Sequence, residues 1–80
     1  MRRPSPQVRM EYQKAMLQVA QVAMADLLGA SEPPEGEPDR YPFNACAWVK
    51  KLPQEWQADG ERIITYVYHH EKLPLFCILP

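Results

Sequence analysis

From Val8 to Leu28 the chain contains neither glycine nor proline, and its apolar residues keep helical time. Val8, Tyr12, Ala15, Met16, Val19, Ala20, Ala23 and Leu27 recur at three- and four-residue spacing, which lays one stripe along a helix of 3.6 residues per turn. Arg9, Glu11, Gln13, Lys14, Gln18 and Gln21 fill the other side. The ends are punctuated: Ser5 is an N-cap residue, Pro6 suits the first helical position, and Gly29 supplies a C′ stop. A helix over 5–29 is predicted. Between Lys14 and Asp26 no charge appears, and M-L-Q-V-A-Q-V-A-M-A is relieved only by glutamines. That half of the helix is expected to be buried on more than one side.

The periodicity stops at Ala30. A-S-E-P-P-E-G-E-P-D-R-Y-P carries four prolines, one glycine and four acids, which rules out regular structure over 30–42. Prolines restrict the unfolded loop and lower the entropy cost of ordering it against the body, which leaves both an ordered and a loose loop open. A second, shorter helix is predicted over 44–52. Asn44 serves as its cap, and Ala45, Trp48, Val49 and Leu52 share one side. Pro53 ends it by constraining Leu52.

The last segment, E-R-I-I-T-Y-V-Y-H-H-E-K-L-P-L-F-C-I-L, is rich in β-branched and aromatic residues on both sides of a short polar stretch. Asp59-Gly60 turns into it, and a β-hairpin over 61–79 is predicted with His69-His70-Glu71-Lys72 at its tip. Alternation places Ile64, Tyr66 and Tyr68 on one face and Ile63, Thr65 and Val67 on the other. The fold class expected is therefore α+β, with the helices packed on an antiparallel hairpin. One helix covers only one face of a hairpin, so the second face is expected to be an interface.

Composition narrows the function classes. At 80 residues the chain makes one small domain over 1–80, with a marginal core. The formal net charge is −1, and Arg2-Arg3 and Lys50-Lys51 are too short to line a groove, so no nucleic-acid partner is expected. No apolar stretch reaches the ~20 residues that span a bilayer, and no apolar core follows the N-terminal arginines, so neither a membrane nor secretion is implied. The expected location is cytoplasmic. Cys46 and Cys77 are then two reduced, buried thiols.

Little chemistry is suggested by the remaining residues. Adjacent histidines on a strand point to opposite sides, so His69 and His70 do not converge on one metal ion. Cys77 lies between Phe76 and Ile78, a setting that silences a thiol; Cys46, near the N-terminus of a short helix that would lower its pKa, would be reactive only with a histidine brought to it in space. Three glycines are too few for a phosphate-binding loop, and no Ser-His-Asp order is present. An enzyme is not expected, nor is a cofactor. Trp48 is assigned to the core and Trp56 to the surface.

The segment from Glu61 to Leu79 resembles the central strand pair of RelE/HigB-type ribonuclease toxins: an arginine, a Y-x-Y strand (Tyr66, Tyr68), a polar turn and an aliphatic strand. That family's first strand, helical hairpin and basic tail have no counterpart in the chain. L-P-Q-E-W-Q-A-D-G resembles the P-x-G-W-x-x-x-G stretch of MbtH-like proteins. The toxin resemblance implies a truncated or degenerate ribonuclease, which stands as the alternative reading. The primary expectation is a small non-enzymatic binding module, an inhibitor or regulator of the phage- or plasmid-borne kind. It would dock on another protein or on its own copy through Tyr66, Tyr68, Trp56 and Phe76, with Glu35 and Glu37 of the acidic loop near the rim.

Overall fold

The computed structural model describes residues 5–70, and the regular structure among them is entirely helical: α1 over Pro6–Leu28, α2 over Asn44–Lys50 and α3 over Gln54–His70. Helix α1 follows its sequence signals. Ser5 Oγ accepts from Val8 N at 3.2 Å, Pro6 opens the first turn, and Gly29 closes the helix at φ 72. That left-handed conformation is the one glycine adopts without a Cβ penalty. Met16, Val19, Val22, Ala23 and Asp26 are its buried residues. The expectation of burial on more than one side is not met: α1 packs inward along one stripe, and Leu17 and Met24 face outward.

The α+β class and its hairpin are overturned by α3. Residues 61–70, assigned to the first strand and its tip, continue a helix that begins at Gln54. Trp56 N bonds the Pro53 carbonyl at 2.9 Å in the opening turn. Glu55 lies in the first turn and His69 and His70 in the last, where each charge preference suits the helix dipole. Strand propensity in Ile63–Tyr68 gives way to packing, because Gly60, Ile64 and Tyr68 recur every four residues and form the buried stripe. A strand would have joined Ile64, Tyr66 and Tyr68 on one face. The helix turns Tyr66 about 200° away from Ile64 and leaves it outside. The second expected strand lies outside the described residues. The likeness to RelE/HigB toxins, which rested on a strand from Glu61, loses that strand.

Asp59-Gly60 is likewise not a turn. Gly60 is buried inside α3 against α2, and a Cβ there would meet Val49 Cγ2 at 2.8 Å and Leu52 Cδ1 at 3.2 Å. The glycine allows the two helices to approach closely.

Contacts at both ends fix the direction of α3. Tyr12 meets Trp56 and Asp59 near the start of both helices, and Asp26 meets Tyr68 near their ends. Helices α1 and α3 therefore run parallel, and the 30–42 loop with α2 makes the return. The core joins Val19, Val22 and Ala23 of α1 to Ala45, Cys46 and Val49 of α2 and to Ile64 and Tyr68 of α3. Phe43, Trp48, Leu52, Ile63 and Val67 pack around it. Cys46 is buried and disulfide-bonded, which corrects the expectation of a reduced thiol there; Cys77 lies outside the described residues.

The acidic loop packs against the body, a point the sequence left open. Trp48 Nε1 donates to the Glu32 carbonyl at 2.9 Å, and Lys51 Nζ meets Glu37 Oε1 at 3.2 Å. The Tyr41–Pro42 peptide is cis.

Candidate functional site

Two buried polar side chains, Asp26 and Asn44, hold the three helices and the loop in one arrangement. The N-terminus of α2 carries no side-chain cap of its own: Phe43 occupies the cap position, not Asn44 as expected. The cap comes from α1 instead. Asp26 Oδ1 accepts from Asn44 N at 3.3 Å and Asp26 Oδ2 from Ala45 N at 3.1 Å, placing a carboxylate where the orphan N–H groups and helix dipole favour one. The Tyr68 hydroxyl completes the cluster. It lies within reach of Asp26 Oδ2 and, at 2.7 Å, of the Pro42 carbonyl, and shares its one hydrogen between them. Burial, then the Asp26 hydrogen bond and its charge, push the Tyr68 hydroxyl well above its ordinary pKa of 10.0.

Asn44, freed from capping, ties down the loop. Its Oδ1 accepts from Arg40 N at 2.7 Å, and its Nδ2 donates to Ser31 Oγ at 2.8 Å, to Asp39 Oδ1 at 3.1 Å and to the Ser31 carbonyl at 3.3 Å. Asp39 also accepts from Tyr41 N at 3.0 Å. That backbone bond, and next the Asn44 amide, hold the Asp39 carboxyl below its ordinary range. Asp26 and Tyr68 are too enclosed to meet a substrate, so this cluster acts as a structural hub.

The outer surface offers more to a partner. Where α1 and α3 begin, Val8, Arg9, Tyr12, Gln13 and Trp56 line a largely apolar groove of about 360 Å³. Tyr12 stands edge-on to Trp56, with ring centroids 5.6 Å apart, and its hydroxyl donates to Asp59 Oδ2 at 2.7 Å. That hydrogen bond raises the Tyr12 pKa. Where the helices end, Met24, Leu27, Tyr66, Val67 and His70 line a second groove of about 200 Å³. Tyr66 stacks on His70 there, with centroids 6.4 Å apart. The outward side of α1 between these grooves carries Met10, Leu17 and Met24, which are 57%, 59% and 60% exposed.

The expected partner-binding residues do not form one surface. Tyr66 is 76% exposed on the second groove, whereas Trp56 is half-buried on the first, ten residues or about 15 Å of helix away. Tyr68 is interior. Glu35 is exposed in the loop, and Glu37 is paired with Lys51 and, at 4.0 Å, with Arg40. Phe76 lies outside the described residues. Sequence reasoning missed Asp26 and the Met10–Leu17–Met24 line. Signals for both exist: an acid on the same stripe as Val19 and Ala23, and three large apolar residues spaced by seven. Among the described residues no helix is long and apolar enough to cross a membrane. No protein-family model matches the chain, and no curated protein or solved structure is significantly similar to it.

Proposed function

We propose that the chain is a small non-enzymatic binding module that works by docking its exposed apolar helix surface on another protein or on its own copy. The observation carrying this reading is the line of Met10, Leu17 and Met24, each more than half exposed on the side of α1 opposite the core. Large apolar side chains repeated along one exposed helix face, with uncharged glutamines between them, suit an interaction site. With three helices already enclosing a core, these residues contribute little to folding the single chain. The docking surface is helical and replaces the hairpin face anticipated from the sequence.

The disulfide at Cys46 counts against the cytoplasmic setting anticipated from the sequence, because such bonds persist in oxidising compartments. Trapping thiols with an alkylating reagent at cell lysis, then counting modified cysteines by mass, decides the compartment.

Sedimentation of the tagged chain in host lysate tests the docking reading. The wild type should migrate well above the mass of one chain. A variant with Leu17, Met24 and Tyr66 replaced by serine should migrate as a single chain with unchanged helical circular dichroism. A wild type that sediments as a single chain, or a variant that assembles equally well, rejects the reading.

A further inference from the structure

Resting on the docking reading, we infer that the outward face of α1 is a self-association surface whose occupant is a second copy of the same helix, laid antiparallel with its twofold axis at Leu17. The face is symmetric in sequence. M-E-Y-Q-K-A-M-L-Q-V-A-Q-V-A-M places Met10, Gln13, Leu17, Gln21 and Met24 at spacings of three, four, four and three residues, and it reads the same from either end.

It is symmetric in space as well. At ~100° per residue, Leu17 projects about 160° from the buried Val19, with Met10 and Met24 within ~20° on either side and Gln13 and Gln21 within ~40°. All five are exposed. A twofold axis at Leu17 brings Met10 of one copy level with Met24 of the other and sets Gln13 beside Gln21. Each pair then comprises like groups: thioether with thioether, and amide with amide able to donate and accept reciprocally. This self-complementarity is what an isologous contact requires, since one patch must serve both sides.

Charge points to the same occupant and orientation. Between Met10 and Met24 the charged residues are Glu11 and Lys14, and Glu11 projects about 120° from Leu17, so two copies meet without opposed carboxylates. Parallel pairing would set Lys14 directly against its own copy. Antiparallel pairing separates the two lysines by about six residues, ~9 Å along the helix, and places each beside Ala20 and Gln21 of the other copy. From Met10 to Met24 the face is about 21 Å long and presents five residues, few beside the roughly 20–30 a side of a standard stable interface. The pair is therefore expected to form and dissociate reversibly, in the micromolar range.

Purified wild-type chain, with no other protein present, should show a monomer–dimer equilibrium by sedimentation over roughly 1–500 µM. Leu17→Glu should weaken it by about a hundredfold or more while thermal unfolding stays near wild type, because Leu17 is more than half exposed and a charge there remains solvated in the single chain. Mild oxidation of Leu17→Cys should give a covalent dimer, with the wild type as control for its own cysteines. Met10→Cys and Met24→Cys should cross-link efficiently only when mixed. A wild type monomeric throughout that range overturns the inference, as does an L17E chain that dimerises normally. Efficient cross-linking of Met10→Cys alone overturns the antiparallel arrangement. If the purified chain is monomeric yet still sediments as a complex in lysate, the second copy is excluded and the docking reading stands; single chains in both reject both.

Discussion

Asp26 is the side chain on which most of the interior depends. Its two oxygens take the first backbone N–H groups of α2 and the Tyr68 hydroxyl, so it joins all three helices. Asp26→Ala leaves a helix N-terminus uncapped and a buried hydroxyl short of an acceptor, and should destabilise the fold by roughly 2–4 kcal/mol in urea unfolding. Asp26→Asn retains one acceptor oxygen but adds a donor facing other donors, and should recover only part of that loss. Tyr68→Phe keeps the ring in the core and removes the hydroxyl, at a cost of about 1–2 kcal/mol. The pH dependence has a definite sign. Folding holds the Tyr68 pKa above 10.0, so the unfolded chain releases this proton first as pH rises. Its stabilising contribution is whole below pH 10 and declines above it. The wild type should lose stability progressively in that alkaline range, and Tyr68→Phe should flatten the decline; parallel alkaline limbs in the two proteins would contradict this assignment.

At the level of elements, the sequence was most legible where local signals and packing agree. Ser5, Pro6 and Gly29 bracket α1 as they stand in the structure, and Trp48 with Val49 marks α2. Helix α3 was hidden because its composition favours a strand and its glycine suggests a turn. The deciding feature is a long-range contact: Gly60 lets α3 approach Val49 and Leu52, which no local window records. Alanine has the higher helix propensity, by about 1 kcal/mol, so an exposed site would gain from Gly→Ala. At position 60 the new methyl would lie 2.8 Å from Val49 Cγ2, and the net effect should be a loss of about 1–2 kcal/mol. Val49→Ala removes the nearest obstructing methyls and leaves the flexible tip of Leu52, at 3.2 Å, as the remaining close neighbour. In that background Gly60→Ala should become neutral or stabilising, and a double-mutant cycle reads the difference as coupling. Additive effects would mean that the helix contact is not the reason for the glycine.

For the whole molecule, the parallel course of α1 and α3 forces a long return, and the proline-rich loop supplies it. Acids and prolines announced an extended segment and left open whether it is ordered. They did not disclose that Asn44, read as a cap, anchors the loop while Asp26 caps α2. That exchange of roles is legible only once residues far apart in the chain are packed together. Asn44 makes bonds to Ser31, Asp39 and Arg40, so the loop is held chiefly from one buried amide. The ion pairs of Glu37 with Lys51 and Arg40 are exposed enough to add little, on the order of 0–1 kcal/mol each. Asn44→Ala should therefore release the loop before it unfolds the helices. The Arg40–Tyr41 bond is a tryptic site within this segment, so opening can be read by proteolysis. When opening is faster than cleavage, each 1.4 kcal/mol lost from the loop raises the cutting rate about tenfold. The variant should be cut after Arg40 at least tenfold faster than the wild type while retaining its helical circular dichroism. Glu37→Gln, which removes the ion pairs and spares the amide, should change that rate by less than about fivefold per ion pair, and by less than Asn44→Ala does. A larger acceleration from Glu37→Gln than from Asn44→Ala would transfer the anchoring from the buried amide to the surface charges.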